Sequence, residues 1–197
     1  MPRRGLSTAS VVSAAAELAD ADGLGTLTLS KLGAHLGVRV PSLYKHIDGI
    51  ADLFRRLAAD STSELATILR SAAAGRSGSD ALAATCHAYR EFATTRPGRY
   101  DSIQHPVEVS DELRLAQGVM LRVVAETLRG YRISDEDELV SAVRMLRSVL
   151  HGFVCLERGA GFQLSTPLGL TFDELIAMVH SSLAERAGDV AVARNRP

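Results

Sequence analysis

Residues 26–53, TLTLSKLGAHLGVRVPSLYKHIDGIADL, constrain the fold of this chain more than any other stretch. Thr28 can cap a helix whose leucines recur at three- and four-residue spacing, and Gly37 supplies the positive φ at which such a helix ends. Pro41 fits the first position of a new helix, because its φ is fixed and its missing N–H would be unpaired there. The stretch predicts two short helices joined by a tight turn, the second from Pro41 to about Ile47.

The second predicted helix has a polar, cationic and aromatic surface. Leu43 and Ile47 lie four residues apart and face inward, which leaves the other sides to Ser42, Tyr44, Lys45 and His46. A helix-turn-helix of this kind places its second helix in the DNA major groove. By themselves Tyr44 and His46 are more typical of half-buried packing residues. Their position beside Lys45, just past the turn, favours contacts with phosphates and bases.

Two further residues flank this surface. Arg39 has the reach for a guanine edge or a phosphate, and the amino terminus of a helix favours an anion. Thr28 is explained equally well as a simple cap and as a phosphate ligand. The predicted DNA-binding residues are Thr28, Arg39, Pro41, Ser42, Tyr44, Lys45 and His46.

A longer pattern surrounds these residues. It consists of Ala14-Ala15, Gly23, Thr28, Leu43-Tyr44-Lys45-His46-Ile47 and Asp52-Leu53. In this pattern the chain resembles the TetR-type one-component transcription regulators, over about a quarter of its length. Two positions depart from the family: Ile47 stands where phenylalanine is usual, and Ile50 stands where a phosphate-contacting lysine is common. Residues 151–162, HGFVCLERGAGF, are similar to the carboxy-terminal domain of one subgroup.

The resemblance implies a function. It assigns Tyr44 and His46 to phosphates and places Ser42 and Lys45 near base edges. It also implies a repressor that a small molecule releases from a double-stranded DNA operator. An alternative is a helical ligand-binding or interaction module that has lost DNA binding, because the expected lysine is absent at Ile50.

Composition excludes several other classes of protein. Hydrophobic residues make up 46% of the 197 and charged residues 23%, and no apolar run approaches the length of a membrane span. The amino terminus lacks the apolar segment of a secretion signal, so we expect a cytoplasmic protein without membrane contact. The net charge of −1 argues against a protein that coats nucleic acid. Residues 1–60 nevertheless carry seven basic and six acidic side chains.

Catalysis and metal binding are not predicted. The sequence has no HExxH, GxSxG, P-loop or dinucleotide motif, and its histidines are scattered. Two cysteines, Cys86 and Cys155, are too few for a zinc site and are expected to be free buried thiols, although a redox pair between them stays open. We therefore expect no enzyme and no cofactor.

Helical periodicity extends along almost the whole chain, and no segment has β periodicity. The predicted later helices are Gly49–Ala73, Ser79–Thr95, Ser110–Gly130, Ser134–Glu157 and Thr171–Arg186, with a less regular piece over Tyr100–Val109. Ser7 or Thr8 can cap the first helix, Ser134 is expected to cap the long helix, and Thr171 with Glu174 is expected to form a capping box. The fold class is all-α with about nine helices: a three-helix helix-turn-helix DNA-binding domain over 1–50, a helical regulatory and dimerisation domain over 51–187, and a disordered tail over 188–197.

The last two long helices are apolar on most of their circumference. A buried central helix is one explanation. The family resemblance instead implies an antiparallel four-helix dimer interface, and a palindromic operator also requires a two-fold dimer. We predict a homodimer that binds an inverted repeat, with interface residues Leu146, Val149, Phe153, Ile176, Val179 and Leu183.

The resemblance also implies a ligand cavity in the helices that follow the DNA-binding domain. Each apolar residue there is equally explained as ordinary core. As a set they predict a pocket for an apolar or aromatic effector with a hydrogen-bonding edge. The predicted pocket residues are Phe54, Tyr89, Phe92, Tyr100, His105, Met120 and Val124.

Overall fold

The computed structural model describes residues 6–105, 107–131, 133, 135–163 and 165–194, with side chains as far as residue 185. These residues form nine α-helices and no strand, which confirms the all-α prediction. The helices are α1 Thr8–Asp22, α2 Leu29–Leu36, α3 Val40–Leu43, α4 Ile50–Ala73, α5 Gly78–Thr95, α6 Pro97–Gln104, α7 Asp111–Leu128, α8 Glu136–Arg158 and α9 Leu168–Arg194. Two 3₁₀ turns, Leu24–Thr26 and Arg129–Tyr131, follow α1 and α7.

The chain divides into two compact units, and their boundaries do not coincide with the boundary predicted at residue 50. The first unit contains the residues up to Leu65 together with Thr95–Met120, and the second contains Ala66–Thr94 and the chain from Leu121 onward. Helix α4 is therefore one continuous helix with residues in both units. The first unit extends past residue 50 because Leu53 and Leu57 of α4 are fully buried in its core.

The core of the first unit is built on the alanine-rich face of α1. Val11, Ala15 and Ala16 have no exposed surface, and Leu32 of α2 and Leu43 of α3 are equally buried in the same cluster. Small side chains on α1 let the neighbouring helices approach closely. Each buried leucine contributes about 1.5–3 kcal/mol of hydrophobic stabilisation.

Helix α6 begins at Pro97 and covers Tyr100–Gln104, the first part of the less regular piece that the sequence predicted over Tyr100–Val109. Pro97 occupies the first helical position, where its fixed φ favours a helix. The backbone N–H of Arg99 donates to Asp20 Oδ1 at 2.9 Å, and its guanidinium donates to Asp20 Oδ2. These contacts attach α6 to the end of α1, and they involve residues too far apart in sequence for periodicity to reveal.

Glycine at position 98 makes this attachment possible. An added Cβ there would overlap the backbone of Ala19 and Asp20. Helix α6 also carries ion pairs to α4, since Arg99 Nε lies 3.2 Å from Glu64 Oε2. Helices α1, α4 and α6 are thus joined within the first unit by one chain of charged side chains.

The second unit is built around the large buried side chains of α5, α8 and α9. Phe92, Val154, Phe172 and Leu183 are at most 2% exposed. Arg90 of α5 forms two hydrogen bonds to Glu157 of α8, at 2.5 and 2.8 Å. Its guanidinium also lies 5.0 Å from the ring centre of Phe172 and 5.3 Å from that of Phe153. The ion pair between Arg90 and Glu157 thus joins α5 to α8, beside the rings of Phe153 and Phe172.

The boundaries of α8 and α9 differ from the sequence predictions. Asp135 caps α8 by accepting from the Glu138 N–H at 3.0 Å, and the predicted cap Ser134 lies outside the described residues. Helix α9 begins at Leu168, directly after Pro167, so Thr171 lies inside the helix and the predicted capping box there is wrong.

The carboxy-terminal end of α9 also differs from its prediction. The helix continues to Arg194, so it extends through residues 188–194 of the tail that was predicted to be disordered. The segment 189–194 contains no proline or glycine, and the one glycine at 188 costs only about 1 kcal/mol in a helix. Residues 195–197 of the predicted tail lie outside the described residues.

Candidate nucleic-acid interface

The turn between α2 and α3 has the predicted geometry. Thr28 caps α2, its hydroxyl oxygen accepting from the Lys31 N–H at 3.2 Å. Gly37 has φ 67°, and its N–H donates to Ala34 O at 3.2 Å. The sequence did not reveal the role of Gly33, where an added Cβ would lie 2.9 Å from Val38 O. The carbonyl of Val38 thus packs directly on α2, which fixes the direction in which the chain leaves the turn.

We call the segment that follows, residues 39–47, the recognition segment. Its helix covers only Val40–Leu43, so the prediction of a helix to Ile47 is wrong. After Leu43 the backbone forms a tight turn, in which the N–H groups of His46 and Ile47 both donate to Leu43 O, at 2.8 and 3.1 Å. Pro41 lies at the second helical position and not at the first.

The surface of the recognition segment agrees with the predicted division into two faces. Leu43 and Ile47 are buried, at 0% and 2% exposure. Tyr44 is 55% exposed, so more than half of its surface is open to solvent. The other predicted contact residues divide into exposed Thr28, Arg39, Pro41 and Lys45 and partly buried Ser42 and His46.

Two contacts that the sequence did not reveal hold this surface in place. The hydroxyl of Thr8, in α1, donates to His46 O at 3.1 Å. Asp52, in the first turn of α4, accepts from the Asp48 N–H at 3.0 Å and from Arg56 Nε at 2.8 Å. The first contact joins the recognition segment to α1, and the second joins the turn after it to α4.

The cationic side chains near the recognition segment differ in whether a carboxylate of the described residues forms an ion pair with them. Among the described residues Arg39 and Lys45 form no ion pair, whereas Lys31 lies 3.6 Å from Asp22. Arg56 is paired with Asp52. The two unpaired cations lie on the same short segment as the exposed Tyr44, so both can neutralise phosphates without first breaking an ion pair.

The two family departures occupy different environments. Ile47 is buried, so its difference from phenylalanine is a change of core volume. Ile50 is 36% exposed at the first position of α4. A lysine there would reach solvent, so the isoleucine removes one cation from this surface.

Comparison with known proteins identifies the family. Residues 82–179 match the model of the tetracyclin repressor-like C-terminal domain. The chain is 32% identical over 163 residues to the uncharacterized HTH-type transcriptional regulator YobS of Bacillus subtilis, covering 82% of this chain and 84% of that protein. It is 35% identical over 155 residues to the uncharacterized HTH-type transcriptional regulator Rv0681 of Mycobacterium tuberculosis, covering 77% and 70%.

The chain belongs to the TetR family of transcriptional regulators. Solved structures share its fold at low identity. BioQ of Mycobacterium smegmatis has a TM-score of 0.66 and 19% identity over 91% of this chain and 99% of that one. A Streptomyces coelicolor A3(2) protein described as a possible TetR family transcriptional regulator has a TM-score of 0.63 and 16% identity, over 94% and 99%. The resemblance noted in residues 14–53 is thereby confirmed for the whole fold.

The predicted effector residues of this TetR regulator belong to different units. Phe54 and His105, in the first unit, contact each other edge to face with ring centres 5.2 Å apart. Tyr100 is buried in the same unit, and Tyr89 and Phe92 are buried in the second. Met120 and Val124, on α7, are partly buried. The prediction that these residues form one pocket stays a prediction.

The predicted interface residues on α8 and α9 lie mostly inside the regulator's own core. Val149 is partly exposed, and the exposure of the other five, Leu146, Phe153, Ile176, Val179 and Leu183, is 6% or less. The chain itself covers these five side chains, because periodicity shows that a helix has a wide apolar stripe but not which part of that stripe other elements cover. Their place in a dimer interface stays a prediction. Among the side chains that the structure describes on these two helices, the exposed large apolar ones are Leu156, Leu170 and Met178, at 51%, 61% and 62%.

Helix α8 is unusually apolar for its degree of burial. Among the described residues it is the one helix long and apolar enough to cross a membrane by length and composition alone, and 28% of its most apolar window is buried. The core helix of a soluble protein can pass the same test. A partly covered apolar helix also fits an interface with another protein chain.

The two cysteines have opposite environments. Burial raises the pKa of the Cys86 thiol to about 12, so it stays protonated at neutral pH. Cys155 is exposed, which corrects the prediction that both thiols are buried, and its Sγ lies 3.5 Å from His151 Nε2. Both cysteines are free.

Proposed function

We propose that this TetR-family protein is a homodimeric repressor that binds an inverted-repeat DNA operator through its recognition segment. The observation that carries the proposal is the combination of exposed Tyr44 with Arg39 and Lys45, which no carboxylate of the described residues pairs with, on a segment anchored by buried Leu43 and Ile47. Anchoring fixes the positions of the three side chains relative to one another. Their types match those that contact phosphates and guanine edges.

The test first identifies a binding site by selection from random double-stranded DNA and then measures affinity by fluorescence anisotropy. Replacing Tyr44 and Lys45 together by alanine removes a phosphate contact and a cation, so affinity for the selected site should fall at least about tenfold. Arg122→Ala is the matched control, because Arg122 is an exposed cation of α7 outside the recognition segment. Full retention of affinity by the double variant contradicts the assignment.

A gain-of-function variant tests the same surface in the opposite direction. Ile50→Lys restores the cation that the family commonly has there and should tighten binding to all sequences. It should also steepen the dependence of log affinity on log salt concentration by about one. If no sequence is enriched and Ile50→Lys alone creates binding, the alternative of a helical module that has lost DNA binding is favoured.

Dimerisation is proposed through the outer faces of α8 and α9, with a second copy of this chain as the occupant. The supporting observations are the exposed Leu156, Leu170 and Met178 and the low burial of the apolar helix α8. Val149 is the one originally predicted residue that stays available for this surface. A two-fold arrangement of this kind matches an inverted-repeat operator, with half-sites about one helical turn apart.

Release from DNA is proposed to depend on an apolar or aromatic effector bound by residues of the predicted pocket set. If the effector lowers operator affinity, linkage requires operator DNA to lower effector affinity by the same factor, about 5–150-fold. Calorimetric titration of a candidate effector with and without the selected operator measures this factor. Equal affinities in the two titrations show that the compound is not the inducer.

A further inference from the structure

The second unit contains a cavity of about 490 Å³ that the predicted function does not use. Its walls come from the end of α4, the linker of residues 74–77, the start of α5 and the end of α7 with the following 3₁₀ turn. None of the seven predicted effector residues lines it. The cavity is therefore a separate feature of the molecule.

Two glycines determine the shape of one wall. An added Cβ at Gly130 would lie 2.8 Å from Gly78 N and 3.1 Å from Gly78 Cα, so the two backbone segments are in close contact. Gly78 itself has φ 55°, in the left-handed region that glycine adopts without strain. A side chain at position 130 would separate the start of α5 from the end of α7 and change the cavity.

The rim of the cavity is cationic. Arg70, Arg76 and Arg129 line it together with one acidic residue, Glu126, and all four side chains are exposed. Arg76 donates through Nη1 to Ala72 O at 2.7 Å. Within the described part of the chain none of the three arginines forms an ion pair. The rim therefore offers guanidinium donors that no carboxylate of the described residues neutralises.

The interior of the cavity is largely apolar. Ala73, Ala81 and Val123 contribute side chains without polar atoms. Thr127 is 5% exposed, and its hydroxyl donates to Val123 O at 3.1 Å, so its hydrogen is already committed. An occupant is thus attracted through charge at the rim and through apolar contact inside.

We propose that this cavity binds a small amphipathic organic anion, with its carboxylate, sulfonate or phosphate at Arg70 and Arg129 and its apolar body against Ala73, Ala81 and Val123. The volume lies within the range of drug-sized ligand sites. Guanidinium groups bind such oxyanions through paired, charge-assisted hydrogen bonds. The carboxylate of Glu126 at the rim repels an anion, so neutralising Glu126 should tighten the binding of the anion.

A structural explanation of the same arginines makes a different prediction. Arg70 lies in the last turn of α4, and Arg129 directly follows α7, so both can offset the partial negative charge at a helix carboxyl end. In that case their removal lowers stability but leaves the affinity for organic anions unchanged.

The experiment uses the full chain with two probes that differ in charge. Anilinonaphthalene sulfonate carries an aromatic body and an anionic group, and N-phenylnaphthylamine has the same rings without the anion. Fluorescence titrations at low salt, where exposed charges are least screened, give an affinity for each. The variants are Arg70→Ala with Arg129→Ala, Glu126→Gln, and Arg122→Ala as the control on the same helix as Glu126.

The proposal requires a charge-dependent pattern. The double arginine variant should bind the sulfonate about tenfold more weakly. Glu126→Gln should bind it about twofold to fivefold more tightly, and Arg122→Ala should leave it unchanged. The neutral probe should bind all variants alike, and circular dichroism should show that each is folded. Equal sulfonate affinity in wild type and the double variant, or an equal loss for both probes, would overturn the proposal. The outcome is independent of DNA binding, since no DNA is present.

Discussion

Asp52 is the residue that ties α4 to the turn after the recognition segment. Its carboxylate accepts from the Asp48 N–H and from the guanidinium groups of Arg55 and Arg56. Burial by itself would raise its pKa, but the hydrogen bonds from Arg56 and Asp48 outweigh that effect and lower the pKa below its usual value. The folded state thus favours the ionised carboxylate more than the unfolded chain does.

This preference predicts a dependence of stability on pH. Because the folded pKa lies below the unfolded value of about 3.9, the contribution of Asp52 is complete above roughly pH 5. It is lost as the pH falls through the lowered folded pKa. Asp52→Asn should reduce the free energy of unfolding by about 1–3 kcal/mol at pH 7. The difference from wild type should shrink on acidification.

Urea unfolding at pH 7 and at pH 3 measures both effects. Asp60→Asn is the control, since Asp60 is an exposed aspartate of the same helix. A loss of stability in Asp52→Asn that is as large at pH 3 as at pH 7 would contradict the assignment to the ionised carboxylate.

At the scale of elements, α6 shows how tertiary contact stabilises a short helix where the sequence predicted a less regular piece. The helix has eight residues, from Pro97 to Gln104, too few to be stable alone in water. It is held by the end of α1 through Asp20 and by α4 through Glu64, which also accepts from Arg96 at 2.6 Å. The position of α6 therefore depends on its close approach to α1.

Gly98→Ala tests that dependence. The added methyl group would overlap the backbone of Ala19, so α6 must shift away from α1 and the charged contacts must lengthen. We expect the free energy of unfolding to fall by about 1–3 kcal/mol, in the range of other overpacked sites. Gly25→Ala is the matched control, because a Cβ at Gly25 meets nothing within 4 Å. Equal unfolding curves for the two variants would show that α6 tolerates the shift.

At the scale of the whole molecule, the outer face of α8 and α9 bears on the oligomeric state. The structure covers five of the six residues first predicted for the interface, so an aspartate at Val179, which is 3% exposed, would destabilise the subunit itself. A test of dimerisation needs a residue that the subunit leaves in solvent. Met178, the neighbour of Val179 on α9, is 62% exposed and meets this requirement.

Met178→Asp should weaken dimerisation by about 2–4 kcal/mol while leaving the subunit folded, because the charge would be buried without a partner only in the dimer. Sedimentation velocity over a range of concentrations measures the effect. Leu115→Asp, which changes a 67% exposed leucine of α7, is the control. A wild-type protein that is monomeric at micromolar concentration, or a Met178 variant that dimerises like wild type, would contradict the proposed interface.

The sequence alone determined those features whose causes lie within a few residues of one another. Thr28 caps α2 as predicted, and Gly37 adopts its positive φ, because capping and turn geometry depend on local backbone groups. Of the two predicted candidates for the first cap, Ser7 and Thr8, it is Ser7 that caps α1. The division of the recognition segment into buried Leu43 and exposed Tyr44 followed from spacing for the same reason. The family pattern in residues 14–53 lies in this locally determined part of the chain.

Only the tertiary structure decided features that depend on residues distant in the chain. The hydrogen bond from Thr8 to His46 joins residues 38 apart, and that from Arg99 to Asp20 joins residues 79 apart. Which part of an apolar helix stays exposed is decided in the same way. The periodicity of the sequence predicted an apolar stripe on α9. Packing within the second unit then buries Val179 and leaves Met178 exposed to solvent. A repeat of 3.6 residues gives the direction of a side chain around its helix axis, whereas burial depends on what other elements bring against that side.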